Sequence, residues 1–141
     1  MKIVIDTNVI LDILQRREPF VHSSVKILRL VEARQIKGYI TANSVTDIYY
    51  VLRRSVKDKN EVYNSIGTLL QLVDIIAVTA RDITEALCPG VKDFEDELIS
   101  VCAQRIKADF IITRNPKDFS EQCVPALTPD EFLKKYFEDS I

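Results

Sequence analysis

The sequence predicts an α/β fold, a three-layer α/β/α sandwich around a central, mostly parallel sheet of four or five strands. Short apolar runs alternate with amphipathic helical stretches along the whole chain. The first four of these runs lie roughly 30 residues apart, the spacing of helical crossovers and not of hairpins. The first run has no polar residue after Lys2, as a strand buried on both faces requires.

Taken in order, Lys2 to Ile5 is that strand. Asp6, Thr7 and Asn8 then form a turn or cap, and Val9, Ile10, Leu11, Ile13 and Leu14 continue as a helix. Pro19 opens a second helix, from about Pro19 to Ala33, because proline is tolerated only in a first turn. Gly38 precedes a strand at Tyr39–Thr41. Asn43 or Ser44 caps a third helix that runs out into the basic Arg53, Arg54, Lys57 and Lys59. Glu61 to Leu72 is a fourth helix and Asp74 to Val78 the next strand, β-branched in its middle. Thr79 starts a helix through Leu87, and Pro89-Gly90 makes a loop. Asp93 to Ala108 forms a sixth helix, Phe110–Thr113 a fourth strand and Pro125–Leu127 a fifth. Thr128-Pro129-Asp130-Glu131 starts the last helix: a threonine cap, proline first, acids in the first turn.

The chain has 141 residues, 47% apolar and 28% charged, the values of one globular domain spanning residues 1–141. No apolar run reaches the roughly 18 residues a membrane span needs, and the chain opens directly on a strand, so a cytoplasmic protein without a signal peptide is expected. The three cysteines, Cys88, Cys102 and Cys123, are far apart and fit reduced thiols, neither a disulfide framework nor a zinc site. The single histidine, His22, cannot supply paired-imidazole chemistry, so any catalysis must use carboxylates. A net charge of −2 gives no general attraction to nucleic acid.

Acids sit where strands hand over to helices. Asp6 follows the first strand, Asp47 lies in the first turns of the third helix, Asp93, Glu95, Asp96 and Glu97 crowd the start of the sixth, and Asp118 follows the fourth strand. Ligands bind at the carboxyl ends of the strands in an open parallel sheet, so one rim can gather all of them. Asp96 falls at the edge of the stripe formed by Leu98, Ile99, Cys102, Ala103 and Ile106, whereas Glu97 points away. Each acid also has a plain reading as a cap or dipole partner. Several carboxylates brought together repel unless a cation neutralises them, and oxygen ligands without His or Cys favour Mg²⁺ or Mn²⁺.

The segments MKIVIDTNVILDIL, NSVTDIYYVLRR, DFEDELISVCA and FIITRNPKDF together resemble the PIN-domain family of metal-dependent ribonucleases. Its bacterial members are commonly toxins of toxin–antitoxin pairs. The resemblance covers about Met1 to Phe132. It implies catalytic acids at Asp6, Asp47 and Asp96, with Asp93 an additional metal ligand. The family's fourth acid falls on Asn115, so either Asp118 substitutes for it or Asp118 faces solvent and a second metal is held only weakly. The family's second acid is usually glutamate, so Asp47 is a shorter replacement. The resemblance further implies that Thr7 and Asn8 orient Asp6 and that Thr113 supports the fourth position. Arg114, Lys117, Arg53 and Arg54 are the candidate contacts to RNA phosphates.

The function expected is thus a Mg²⁺- or Mn²⁺-dependent endoribonuclease, the toxin partnered by a small antitoxin protein. A homodimer is expected too, because Tyr49-Tyr50 puts aromatics on adjacent faces of one helix. The alternative is a PIN-fold module that binds RNA or a partner without cleaving. Haloacid-type phosphatases also place an aspartate after a first buried strand but need a second two residues on, where this chain has Asn8. A receiver domain wants an acid pair before its acceptor aspartate and a lysine beyond a late strand, and neither is present convincingly.

Overall fold

A computed structural model describes residues 1–88, 90–119 and 123–137. Pro89 of the predicted loop lies outside the described residues, while Gly90 adopts φ +90°, a conformation natural to glycine. The elements run β1 (Lys2–Ile5), α1 (Thr7–Leu14), α2 (Val21–Glu32), β2 (Lys37–Thr41), α3 (Ala42–Ser55), α4 (Lys59–Leu72), β3 (Asp74–Ile76), α5 (Ala80–Ala86), α6 (Phe94–Arg105), β4 (Phe110–Ile112), β5 (Ala126–Leu127) and α7 (Pro129–Phe137). A short 3₁₀ turn, Pro116–Asp118, follows β4.

The strands form one five-stranded sheet in the order β3-β2-β1-β4-β5, every pairing parallel. In β1, Ile3 and Ile5 join a core with residues of α1, α2, α3, α4 and α7, while Val4 joins a second core with α5 and α6. A strand whose alternate side chains enter two cores must be apolar throughout, which is the pattern read from its sequence.

The predicted elements are all present, with boundaries shifted at their ends. β3 stops at Ile76, two residues before the predicted end. α6 ends at Arg105, before Ala108, because the chain reverses through Lys107 at φ +58°. Ala108 N–H then bonds back to the Ala103 carbonyl, satisfying a helix-end acceptor. With all strands parallel, residues 6, 42, 113 and 128 leave β1, β2, β4 and β5 along a single rim.

Candidate active site

Strand order reverses between β1 and β4, because the chain proceeds from β1 to β2 on one side and returns to place β4 on the other. Such a switch point opens a crevice at the strand carboxyl ends. Asp6 stands there, 7% exposed. It occupies the N-cap position of α1, but its side chain makes no cap hydrogen bond. Instead Asp6 Oδ2 accepts a hydrogen bond of 2.8 Å from the Thr113 hydroxyl at the end of β4. The plain capping role for its carboxylate is thereby removed. Thr113, wholly buried, also accepts from the Asn115 amide at 3.2 Å, so one hydroxyl fixes both the first acid and the fourth position.

Thr7 serves differently from expectation. Its hydroxyl donates to Ser44 at 2.8 Å, and Ser44 in turn meets Thr41 at 2.9 Å, tying α1 to the β2–α3 junction. Only the Thr7 backbone amide supports Asp6. The side-chain contact to Asp6 thus comes from Thr113, and Thr7 contributes through its amide.

Across the crevice, Asp93 caps α6, its Oδ1 accepting from the Asp96 amide at 3.0 Å. Asp96, half-buried, has its carboxyl pushed up to about 7, first by burial and then by the charges of Asp6, Asp93, Asp118 and Glu95. Asp6 is raised chiefly by burial, against the opposing Thr113 hydrogen bond. Glu95 is raised by burial and by Asp47, Asp93 and Asp6. Asp118 is exposed, yet its charge acts on both Asp6 and Asp96. Asp47 is half-buried on α3 and acts on Glu95. Glu97, expected to be solvated, is half-buried.

The expected basic contacts divide. Lys117 is exposed beside Asp118. Arg114 turns toward α1, its Nε 3.1 Å from Asp12 Oδ2 and its guanidinium 4.6 Å from the Phe20 ring centroid. Arg53 and Arg54 do not belong to this site. α3 leaves the rim at Ala42, so at 1.5 Å per residue they lie roughly 16 Å away along its axis. Arg53 there donates to the carbonyls of Lys57 (2.7 Å) and Val56 (3.3 Å), closing the far end of its own helix.

Asp12 was not foreseen. It is fully buried, 3.7 Å from Arg17 as well as close to Arg114, and neither of its oxygens has a hydrogen-bond partner among the described residues. Burial raises its carboxyl, with the charges of Arg114 and then Arg17 opposing. A lone acid in the otherwise apolar VILDIL was the available signal.

A divalent cation is the group the resemblance implies, and the donors suit it in kind. All are hard carboxylate oxygens, and Asp96 is raised by four neighbouring negative charges, a repulsion that a cation relieves. Among the described residues no three such groups are gathered closely enough to hold an ion as they stand. The fit is therefore one of charge and donor type.

Comparisons with known proteins place the chain's family and fold. A family model described as PIN domain matches residues 2–117. Ribonuclease VapC1 of Aquifex aeolicus (strain VF5) is 27% identical over 140 residues, covering 96% of this chain and 95% of that protein. Among solved structures, VapBC-1 from nontypeable Haemophilus influenzae matches with a TM-score of 0.68 at 14% identity, covering 92% of this chain and 99% of that one. A toxin–antitoxin complex from Klebsiella pneumoniae gives 0.66 at 22% identity, over 89% and 96%. VapBC2 from Rickettsia felis, bound to a DNA fragment from their promoter, gives 0.62 at 20%, over 83% and 90%. These likenesses establish the fold.

Proposed function

The chain belongs to the PIN-domain family, and from that premise we propose that it is a divalent-metal-dependent endoribonuclease, one domain acting as the toxin of a toxin–antitoxin pair. The observation that carries the reading is the buried Asp6 carboxylate, fixed by Thr113 across the β1/β4 switch point and coupled in charge to Asp96. Asp6 and Asp96 are the principal ligands for Mg²⁺ or Mn²⁺, with Asp47, Asp93 and Asp118 completing the negative field. A divalent cation bound there supplies charge neutralisation at an RNA phosphodiester and activates water for in-line attack.

The chain's own contribution is placement. Thr113 holds Asp6 in one orientation, and Asp93 fixes the first turn of α6 so that Asp96 stays at the crevice. Lys117 positions phosphates without reading bases. Asn115 brings no charge, so the fourth acid is Asp118 acting from the exposed 3₁₀ turn.

The Aquifex aeolicus relative named as a ribonuclease supports the reaction, and the toxin–antitoxin neighbours support a small antitoxin partner. No described helix is long and apolar enough to cross a membrane, and acting on cellular RNA would place the toxin in the cytoplasm. The proposed homodimer rests on an apolar groove between α3 and α4, where Tyr49, Tyr50, Tyr63, Ile66, Gly67 and Leu70 line the surface. Gly67 lies within α4 although a Cβ there would meet nothing within 4 Å, so nothing inside the chain requires a glycine.

Binding without cleavage is favoured by one fact, the absence among the described residues of three acids gathered on one point. Purified protein incubated with RNA separates the two readings. Internal cuts should appear with Mn²⁺ or Mg²⁺ and vanish with chelator. Asp6→Asn should remove about 100-fold or more of the activity, at least the upper end of what losing an outer-shell partner of a metal ligand costs, while staying folded. Undiminished cleavage by Asp6→Asn, or cleavage in chelator, would overturn the proposal.

A further inference from the structure

Beside the acidic crevice, on the same rim, lies a second cavity of about 220 Å³ lined by Phe20, Ser23, Ser24, Arg114 and Asp130 among others. β5 is two strands from β1, so at about 4.8 Å per strand the Thr128–Asp130 wall stands roughly 10 Å from Asp6. Arg114 joins the two sites, following directly on the Thr113 that holds Asp6.

The cavity is chemically equipped beyond what folding needs. Phe20 is 42% exposed and carries the Arg114 guanidinium against its ring, a flat stacked wall at the surface. The Arg114 Nε faces Asp12, while no hydrogen bond among the described residues uses its Nη1 and Nη2 donors. Ser24 is completely buried and lines the cavity, and its hydroxyl has no hydrogen-bond partner among the described residues. An unpaired buried hydroxyl is costly to a fold and marks a donor or acceptor held for something else. Opposite stands the exposed Asp130 carboxylate, bonded to the Ser23 hydroxyl.

A phosphate does not suit this place, although a helix begins here. The first turn of α7 is already closed by Thr128 and Glu131, each donating its amide to the other's side chain, and Pro129 has no N–H to offer. The Asp130 charge also repels an anion. A flat neutral ring with acceptors on one edge and donors on the next does suit it. Arginine donors match the O6 and N7 acceptors of guanine. A carboxylate matches guanine's adjacent N1–H and N2–H₂ donors, whereas adenine, cytosine and uracil present no two adjacent donors on that edge. Unpaired RNA bases are commonly held by stacking and by such edge contacts.

We propose that this cavity receives an unpaired guanine of the RNA substrate, flanking the phosphodiester at the acidic crevice, with Asp130 and Arg114 reading its edges and Phe20 stacking. The inference rests on the ribonuclease reading for its biological setting, and two measurements keep the two separable. NMR titration of the protein with each of the four nucleoside monophosphates should show guanosine monophosphate binding at least 10-fold more tightly than the others, with shifts centred on Phe20, Ser24 and Arg114. Asp130→Asn should abolish that preference. Equal binding of all four, or shifts elsewhere, overturns the proposal.

Mapping cuts in a mixed-sequence RNA with Mn²⁺ should place a guanine at one fixed offset from the cut. Replacing that guanine by inosine, which lacks the N2 amino group, should slow wild-type cleavage about 10-fold and Asp130→Asn cleavage hardly at all. Cuts with no guanine at a fixed offset overturn the cavity's assignment and leave the nuclease standing. No cutting at all overturns the nuclease reading, and the titration then decides the cavity alone.

Discussion

Asp82 and Asp96 each lie in the first turn of a helix, on α5 and α6, elements packed against each other, yet their carboxyls are driven in opposite directions. Asp82 is buried, which by itself pushes it up most strongly. The Thr79 amide, the Arg105 guanidinium and the Thr79 hydroxyl outweigh that burial and hold it below the usual range. The carboxylate accepts from the Thr79 amide at 2.9 Å and from Arg105 Nε and Nη2 at 3.1 and 3.0 Å, while the Thr79 hydroxyl closes the capping box by accepting from the Asp82 amide at 3.1 Å. Asp96 has no such cation. The charges acting on it, Asp6, Asp93, Asp118 and Glu95, are all negative. The first acid is compensated by its own chain, whereas the second has no compensating partner among the described residues, and on the proposed reading a divalent cation supplies it.

The largest effect that probes this contrast is on stability. Asp82→Asn should cost about 2–3 kcal/mol in urea unfolding, because it strips the partner from Arg105 and weakens the α5 cap. A loss below about 0.5 kcal/mol would make Asp82 no more structural than Asp96. Its pH dependence follows in sign. A carboxyl held low in the folded state contributes stability above its unfolded value and loses that contribution as pH falls through its folded one. The gap between wild type and Asp82→Asn, measured across an acid titration, should therefore narrow toward low pH. A gap that widens there would contradict the direction. Smaller, and opposite in sign, is Asp96→Asn. Removing one of the mutually repelling charges should stabilise the metal-free protein by about 1 kcal/mol, read from thermal unfolding in chelator. Destabilisation would mean that Asp96 has a structural partner after all.

The fold was legible because its signals are local. An uninterrupted Ile3-Val4-Ile5, caps at Thr79 and Thr128, and crossover spacing fix strands, helices and parallel order without knowledge of the packing. The placement of the acids at strand-to-helix junctions was legible in the sequence, although among the described residues no three of them are gathered on one point. Their partners were not. That the Thr113 hydroxyl, and not the Thr7 hydroxyl, holds Asp6 depends on which strand lies beside β1, a relation spanning 107 residues. Arg53 and Arg54 looked available because a run of charge in sequence says nothing about which end of α3 faces the rim. Only its place in VILDIL marks Asp12 in the sequence and nothing marks Ser24; the interest of both comes from polar atoms left unpaired on burial.

The central claim is that the acids at the β1/β4 switch point form an uncompensated negative field that a divalent cation completes. Thermal unfolding of the wild type and of Asp6→Asn, each in chelator and in Mn²⁺, tests it most directly, because a ligand that binds only the folded state raises its stability by mass action. The account predicts a clear rise in Tm with Mn²⁺ for the wild type and little or none for Asp6→Asn. An unchanged wild-type Tm, or an equal rise in both proteins, would contradict it.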